Sequence, residues 1–288
     1  MDIIKLRLIS AELLLAVASF FLAGGMHVRI LTLLYLLLFG FMGLAGSAAL
    51  NSYLDRDIDR VMGRTALRPI PSGRVSAGHV LYAGILLLCI AFVGGALLIN
   101  IVTASIIVIG SLLYILLYTM YVKRTTPNAV ILGGFAGAIP AFGGWTAYTY
   151  SNLFIPFLVF LVVFFWQPGH FWYLSTYYRE DYGKAGVPVL PTRRERSHVS
   201  KLALAYNSLT VIVTLGLAFE LHLDQLLIIP LFVLDAAMLL ISLNGLFWRE
   251  ERKFLDAFHF TVIYMVIFLL LMIIAGMLHP ASLHSNVL

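Results

Sequence analysis

Along this chain, apolar stretches of about twenty residues alternate with short polar connections. Nine such runs are centred near Phe20, Leu38, Leu88, Leu112, Ala136, Val162, Val211, Phe232 and Phe268. An α-helix rises about 1.5 Å per residue, so a run of about twenty residues crosses the roughly 30 Å hydrocarbon layer of a bilayer. The pattern therefore predicts an all-α, multi-pass membrane protein, with nine transmembrane helices around a central cavity. Nine spans leave little room for a soluble domain, and residues 1–288 read as a single transmembrane domain. The first run is preceded by Lys5 and Arg7 and contains Ala16-Val17-Ala18, which resembles a signal-peptide cleavage site. That triplet lies inside the apolar run, so the run is read as an uncleaved first helix.

Composition agrees with this pattern: 61% of the 288 residues are hydrophobic and 11% are charged, against roughly half and a quarter in soluble domains. The single cysteine, Cys89, excludes an intrachain disulfide and is expected to be core filler. The net charge of +5 does not require a nucleic-acid partner, because the basic residues are sorted by side. Of 19 Lys and Arg residues, 18 fall in the N-terminal tail and every second loop, and only Arg29 lies opposite. The positive-inside rule makes the basic side, with the N-terminus, cytoplasmic and puts the C-terminal "HPASLHSNVL" outside. The outer turns are short and nearly uncharged, whereas two cytoplasmic loops, residues 55–76 and 178–200, are long and polar. Their separation by four helices suggests a pseudo-repeat of helices 1–4 and 5–8, with helix 9 added. In helix 5, "LGGFAGAIPAFGGW" sets Gly133 and Gly137 at the spacing that lets helices approach closely, with Pro140 to kink it. Tight packing and substrate contact both fit that stretch.

The first long loop is entered through "NSYLDRDIDRVMGRTALRPIPSGR", which holds three aspartates and five arginines in 24 residues. Asn51, Asp55 and Asp59 recur every four residues, which puts them on one helical stripe, while Asp57 faces away and is expected to pair with a neighbouring arginine. Two carboxylates so close repel each other near a bilayer unless a cation bridges them. An oxygen-only set with no Cys or His at ligand spacing points to Mg²⁺, which leaves its other positions to water and phosphate oxygens. Arg64, Arg68, Arg74, Lys123 and Arg124 are the candidate phosphate donors. Without the aspartates, those cations would read as residues that fix topology.

The second loop, "YYREDYGKAGVPVLP", places Asp181 four residues after Tyr177, a single-carboxylate echo that could reach a second metal ion or be a solvated loop residue. His170, beside Pro168 and Gly169, is a candidate substrate contact or a packed hydrogen bonder. Glu12 and Asp235 are likewise open between structural and cavity-lining roles.

The Asn-x3-Asp-x3-Asp pattern running into "RPIPSGR" resembles the intramembrane prenyltransferase superfamily, which includes 4-hydroxybenzoate polyprenyltransferase and chlorophyll synthase. Three further stretches resemble the protohaem IX farnesyltransferases within it: "DRDIDRVMGRTALRP", "YTMYVKRTTPNAVILGGFAGAIPAFGGW" and "WQPGHFWYLSTYYREDYGKAGVPVLP". The likeness departs at Gln167-Pro168-Gly169, where those proteins carry "TPP" before the histidine, and at Glu180, where they often carry lysine. This resemblance implies farnesyl diphosphate and haem b as substrates, a farnesyl transfer to a haem vinyl group with hydration, and a site in a cell membrane. It names no partner protein for haem handling or oxidase assembly.

The residues argue the chemistry of such a reaction. Asp55 and Asp59 would hold Mg²⁺, with Asn51 orienting them or ligating, and Arg64, Arg68, Lys123 and Arg124 would meet the diphosphate. Tyr53, Tyr118, Tyr121 and Tyr178 are candidates to face an allylic cation. A fifteen-carbon tail buries on the order of 10 kcal/mol of apolar transfer free energy, which suits a reaction inside a bilayer. Rival readings are a relative acting on a quinone precursor or lipid glycerol, a CDP-alcohol phosphotransferase, and a transporter. The phosphotransferase lacks its Asp-Gly-x2-Ala-Arg lead-in here, and a transporter's coupling groups should lie nearer the bilayer midplane.

Overall fold

The computed structural model of the protein describes residues 5–63 and 65–279. Among these, nine helices are long and apolar enough to cross a membrane: Leu6–His27, Ile30–Leu54, Ala77–Leu98, Ile101–Thr125, Ala129–Thr146, Phe154–Tyr177, Arg196–Glu220, Gln225–Asn244 and Glu251–Leu278. They are named below as the first to ninth spans. Each contains one of the nine sequence-predicted centres, because helical hydrogen bonding inside a segment is the cheapest way to satisfy backbone groups in hydrocarbon. Large apolar side chains such as Leu97, Phe219 and Val233 stand exposed on the outer faces, where lipid is the solvent. Cys89 is also exposed, on the third span, so it is not core filler; a small apolar thiol costs nothing against lipid.

The second span packs along the third, the first against the fifth and ninth, and the sixth against the seventh. The main core, from Leu15 and Trp145 to Phe268 and Met272, ties spans one, five, six, seven, eight and nine together. The fifth span is broken as the proline predicts: one helix runs Ala129–Ala138 and another Pro140–Thr146, since Pro140 lacks the N–H that would continue the ladder. Gly133 in this span makes room for the Tyr118 ring, which a Cβ would overlap.

The fourth span shows what no sequence period announced. Its α-helix Ile101–Leu112 passes into a π-helix, Leu113–Val122, before Lys123–Thr125. The wider turns shift the side-chain register, and such stretches concentrate at functional sites. Here they put Tyr114, Tyr118 and Thr119 beside the end of the second span.

Candidate active site

The second span ends at Asp55, where the backbone reaches φ −86 and ψ 3. A short helix, Arg56–Val61, follows at once. Helical bonding survives the junction: Asp55 N–H donates to the Asn51 carbonyl (2.9 Å), and Asp59 N–H to the Asp55 carbonyl (2.8 Å). The stripe therefore stays intact, and Asn51, Asp55 and Asp59 are 1%, 2% and 3% exposed. Asp57, on the other face, has a side chain 60% exposed. After Met62 the chain turns, and Ile70 seats in an apolar pocket with Ala49 and Val80. Anchored there, the "RPIPSGR" loop sends Arg68 back across the stripe.

Burying two carboxylates costs several kcal/mol each unless they are paired. Both are paired. Lys123 Nζ donates to Asp55 Oδ2 at 2.6 Å, and Arg68 Nη1 donates to both Asp59 oxygens, at 2.8 and 2.7 Å. Asn51 Nδ2 donates to Asp55 Oδ2 (2.9 Å) and to Thr119 Oγ1 (3.0 Å). Thr119 in turn donates to the Tyr114 carbonyl across the π-turn (2.8 Å). Lys5, from the N-terminal end of the first span, donates to Asn51 Oδ1. Burial, with Arg68 and Lys123 close by, brings the Lys5 ammonium down to about 7.

These groups open on a cavity of about 150 Å³. Its polar wall is Lys5, Asn51, Asp55, Asp59, Arg68 and Lys123, and its apolar wall includes Tyr114, Tyr118, Phe171, Tyr182 and Val189. Tyr114 and Tyr118 stack at 5.9 Å. Three cations face two carboxylates, so the wall carries one excess positive charge with all five groups ionised. A diphosphate carries more negative charge than that excess can balance. Asp55 Oδ1, buried, has no hydrogen-bond partner among the described residues; the Arg124 guanidinium stands 3.8 Å from it. A hard divalent cation fits this wall: an orphaned carboxylate oxygen beside two further oxygen-bearing side chains is the donor chemistry it takes. No group of three or more His, Cys, Asp or Glu at metal-binding range exists among the described residues, so Asn51 and oxygens from the ligand itself would complete the shell.

The other sequence candidates are placed unevenly. Arg64 lies outside the described residues. Arg124 is committed to Asp57, donating at 2.7 and 2.9 Å and to the Leu54 carbonyl at 2.8 Å, and is not in the cavity wall. Asp57 thus pairs with an arginine, though with one 67 residues away and not a neighbour. These bonds hold its carboxyl down at about 2. A depressed carboxyl adds stability that is full above its unfolded pKa of about 3.9 and lost as pH falls towards 2. For a pair this exposed that amounts to about 1 kcal/mol at most. Arg74 donates to the Leu67 carbonyl and to Ser72 Oγ (3.0 Å), stapling its own loop away from the cavity.

Asp181 sits over Gly63, where a Cβ would lie 3.9 Å from both its oxygens, so the two polar loops do meet. Tyr178 packs on the cluster of Ile58, Met62, Tyr182, Val187 and Val189, four of which belong to the cavity wall while Tyr178 itself does not. His170 faces away: its Nδ1 pairs with Thr261 Oγ1 at 2.8 Å, and its ring stacks on Trp166 at 4.3 Å. Tyr53 lies under the Arg56 guanidinium at 4.4 Å, and Tyr121 is 66% exposed. Asp235 accepts from Tyr264 at 2.7 Å and is not among the residues that line the cavity. Sequence reasoning missed Lys5, Tyr114 and Thr119. Lys5 was readable only as a topology residue, and the other two depend on the π-helical register.

The chain matches the model of the UbiA prenyltransferase family over residues 13–266. It is similar to the protoheme IX farnesyltransferase of Aeropyrum pernix, 38% identical over 271 residues, 93% of this chain and 88% of that protein. It is also similar to the protoheme IX farnesyltransferase of Roseiflexus sp., 42% identical over 187 residues, 65% of this chain. The match spans only 35% of that Roseiflexus protein. Among solved structures, a digeranylgeranylglyceryl phosphate synthase superposes with TM-score 0.78 at 23% identity, covering 96% of both chains. A UbiA homologue from Archaeoglobus fulgidus, described as bound to GPP and Mg²⁺, gives TM-score 0.70 at 17% identity over 96% of this chain and 98% of that one. At these identities the structural likeness establishes the fold.

Proposed function

Because this chain belongs to the UbiA prenyltransferase family, we propose that it transfers a farnesyl group from farnesyl diphosphate to the vinyl group of protohaem IX, with hydration, releasing diphosphate. The observation that carries this reading is the buried stripe of Asn51, Asp55 and Asp59, paired with Arg68 and Lys123 in the polar wall of one cavity. Relatives named protoheme IX farnesyltransferase over nearly the whole chain support haem as the acceptor.

Asn51, Asp55 and Asp59 would hold a divalent cation, Mg²⁺ by the oxygen-only donor set and by the Mg²⁺ described for the A. fulgidus homologue. When bound, that ion supplies Lewis-acid neutralisation of diphosphate oxygens. Arg68 and Lys123 keep spare N–H donors for the diphosphate while paired to the stripe, and Lys5 in its protonated form adds a third cation. These donors stabilise the charge that grows on the leaving oxygen as the allylic C–O bond breaks and its electron pair departs with diphosphate. The Tyr114 and Tyr118 rings in the cavity wall offer π-faces to the allylic cation. Vinyl electrons then form the new C–C bond, and water adds to the haem-stabilised cation and loses a proton to solvent. A cavity of about 150 Å³ suits the charged head and falls short of the roughly 300 Å³ of a drug-sized ligand pocket, so the tail lies between spans. The active-site end, with the N-terminus, faces the cytoplasm of a cell membrane by the distribution of Lys and Arg.

Membranes containing the protein, given farnesyl diphosphate, haem and Mg²⁺, are expected to yield a farnesylated haem by mass spectrometry. Prenylation of a quinone precursor instead, with no haem product, would sink the haem assignment. Arg68→Ala and Lys123→Ala are each expected to raise the KM for the prenyl diphosphate about tenfold or more, the worth of one charge-assisted hydrogen bond. Arg124→Ala, acting on an exposed pair, should change it less than about threefold. Steady-state kinetics on the three variants separates the wall cations from the outer one.

A further inference from the structure

A second basic feature lies one loop away from the active cavity. Arg179, Thr192, Arg193, Arg194, Glu195, Arg196 and Ser197 surround an open depression of about 540 Å³. Arg196 is already tied, donating to Glu251 and to the Arg249 carbonyl (3.1 Å). Arg179, Arg193 and Arg194 are exposed, and no ion pair is formed by any of them among the described residues. Glu195 is the only acid in the lining.

The backbone beneath these arginines is fixed. Leu190 and Pro191 are buried, Thr192 Oγ1 donates to the Val189 carbonyl (2.7 Å), and Arg194 N–H donates to the Leu190 carbonyl (2.9 Å). The same segment builds the active cavity. Tyr182, Val187, Pro188 and Val189 line its apolar wall, and Val187 and Val189 pack with Ile58 and Met62 of the stripe helix and its turn. Arg193 follows Val189 by four residues, one helical turn, or roughly 6 Å of rise. Arg179 begins the short helix Arg179–Lys184, on which Tyr182 sits. One loop thus presents an apolar wall to the reaction cavity and a set of uncommitted guanidinium groups beside it.

A haem acceptor has this division in its own structure, with reactive vinyls on an apolar edge and two propionate carboxylates on the opposite edge. Guanidinium forks pair with carboxylates bidentately. We propose that Arg179, Arg193 and Arg194 dock the carboxylates of the acceptor while its vinyl edge reaches the cavity, a proposal that rests on the haem reading above. The phosphate of an anionic lipid offers related chemistry, and the experiment distinguishes the two sources.

Wild type and the double variant Arg193→Gln/Arg194→Gln are reconstituted in phosphatidylcholine nanodiscs, with and without phosphatidylglycerol. Initial rates are measured with protohaem and with its dimethyl ester, which lacks both charges. The double variant is expected to raise the KM for protohaem about tenfold in either lipid, to leave the KM for farnesyl diphosphate unchanged, and to match wild type on the dimethyl ester. Arg193→Lys/Arg194→Lys should recover part of the loss. An unchanged KM for protohaem, an equal loss on the dimethyl ester, or a defect confined to nanodiscs with phosphatidylglycerol overturns the proposal while the haem reading stands. A wild type that prenylates another acceptor but not protohaem overturns both.

Discussion

Asp55→Ala and Asp59→Ala are each expected to lower prenyl transfer by about 10³-fold or more, the scale of losing a preorganised electrostatic contact to a developing charge. The loss has two parts. Each substitution removes a proposed metal ligand, and each leaves a partly buried cation, Lys123 or Arg68, without the carboxylate that holds it at 2.6 Å or 2.7 Å. Asp55→Asn keeps the side chain's volume and its bond from Asn51, so it tests charge apart from shape. Asp57→Ala is the internal control: it loses an exposed pair with Arg124, and activity should stay within about threefold of wild type. Rates normalised to folded protein decide the matter, and equal damage at Asp57 and Asp55 would refute the stripe.

The second large effect is on the fold. A methyl group on Gly144 would overlap the Ala16 carbonyl of the first span, and one on Gly276 would overlap the Phe21 carbonyl. At both points backbone meets backbone, so no side chain can rotate aside. Gly144→Ala is expected to cost about 3 kcal/mol or more, above the usual range for overpacking that side chains can relieve. It should show as a lower fraction of monodisperse protein after heating in detergent. Gly216→Ala, also within a span but with nothing within 4 Å of the added carbon, should hold or gain stability, since alanine is the better helix former by about 1 kcal/mol. Equal stability of the two variants would show that the first and fifth spans can separate slightly without loss.

The nine spans were legible because length and apolarity alone decide whether a segment can sit in hydrocarbon. The stripe of Asn51, Asp55 and Asp59 was legible for a similar reason: an i, i+4 relation is local, and it survived the junction at Asp55 because the backbone bonds 51 to 55 and 55 to 59 both persist. The break at Pro140 was local too. Partner choice was not. The sequence offered Arg64, Arg68, Lys123 and Arg124 for the diphosphate, with Arg74 a further candidate, whereas among the described residues the fold gives Arg68 and Lys123 to the cavity, Arg74 to its own loop and Arg124 to Asp57. His170 looked available from its polar type and turned out packed between Trp166, on which it stacks, and a tilted Phe258 ring.

What the sequence by itself determined is therefore what depends on one helix at a time: the spans, the side on which positive charge collects, and the two carboxylates that share a face. Tertiary structure alone decided which cations meet those carboxylates, that Lys5 joins them from 46 residues away, and that the fourth span widens into a π-helix to bring Thr119 against Asn51. The physical reason is range. Helix periodicity is fixed by backbone geometry within a few residues, whereas an ion pair between spans depends on how whole helices pack, and no local pattern encodes that.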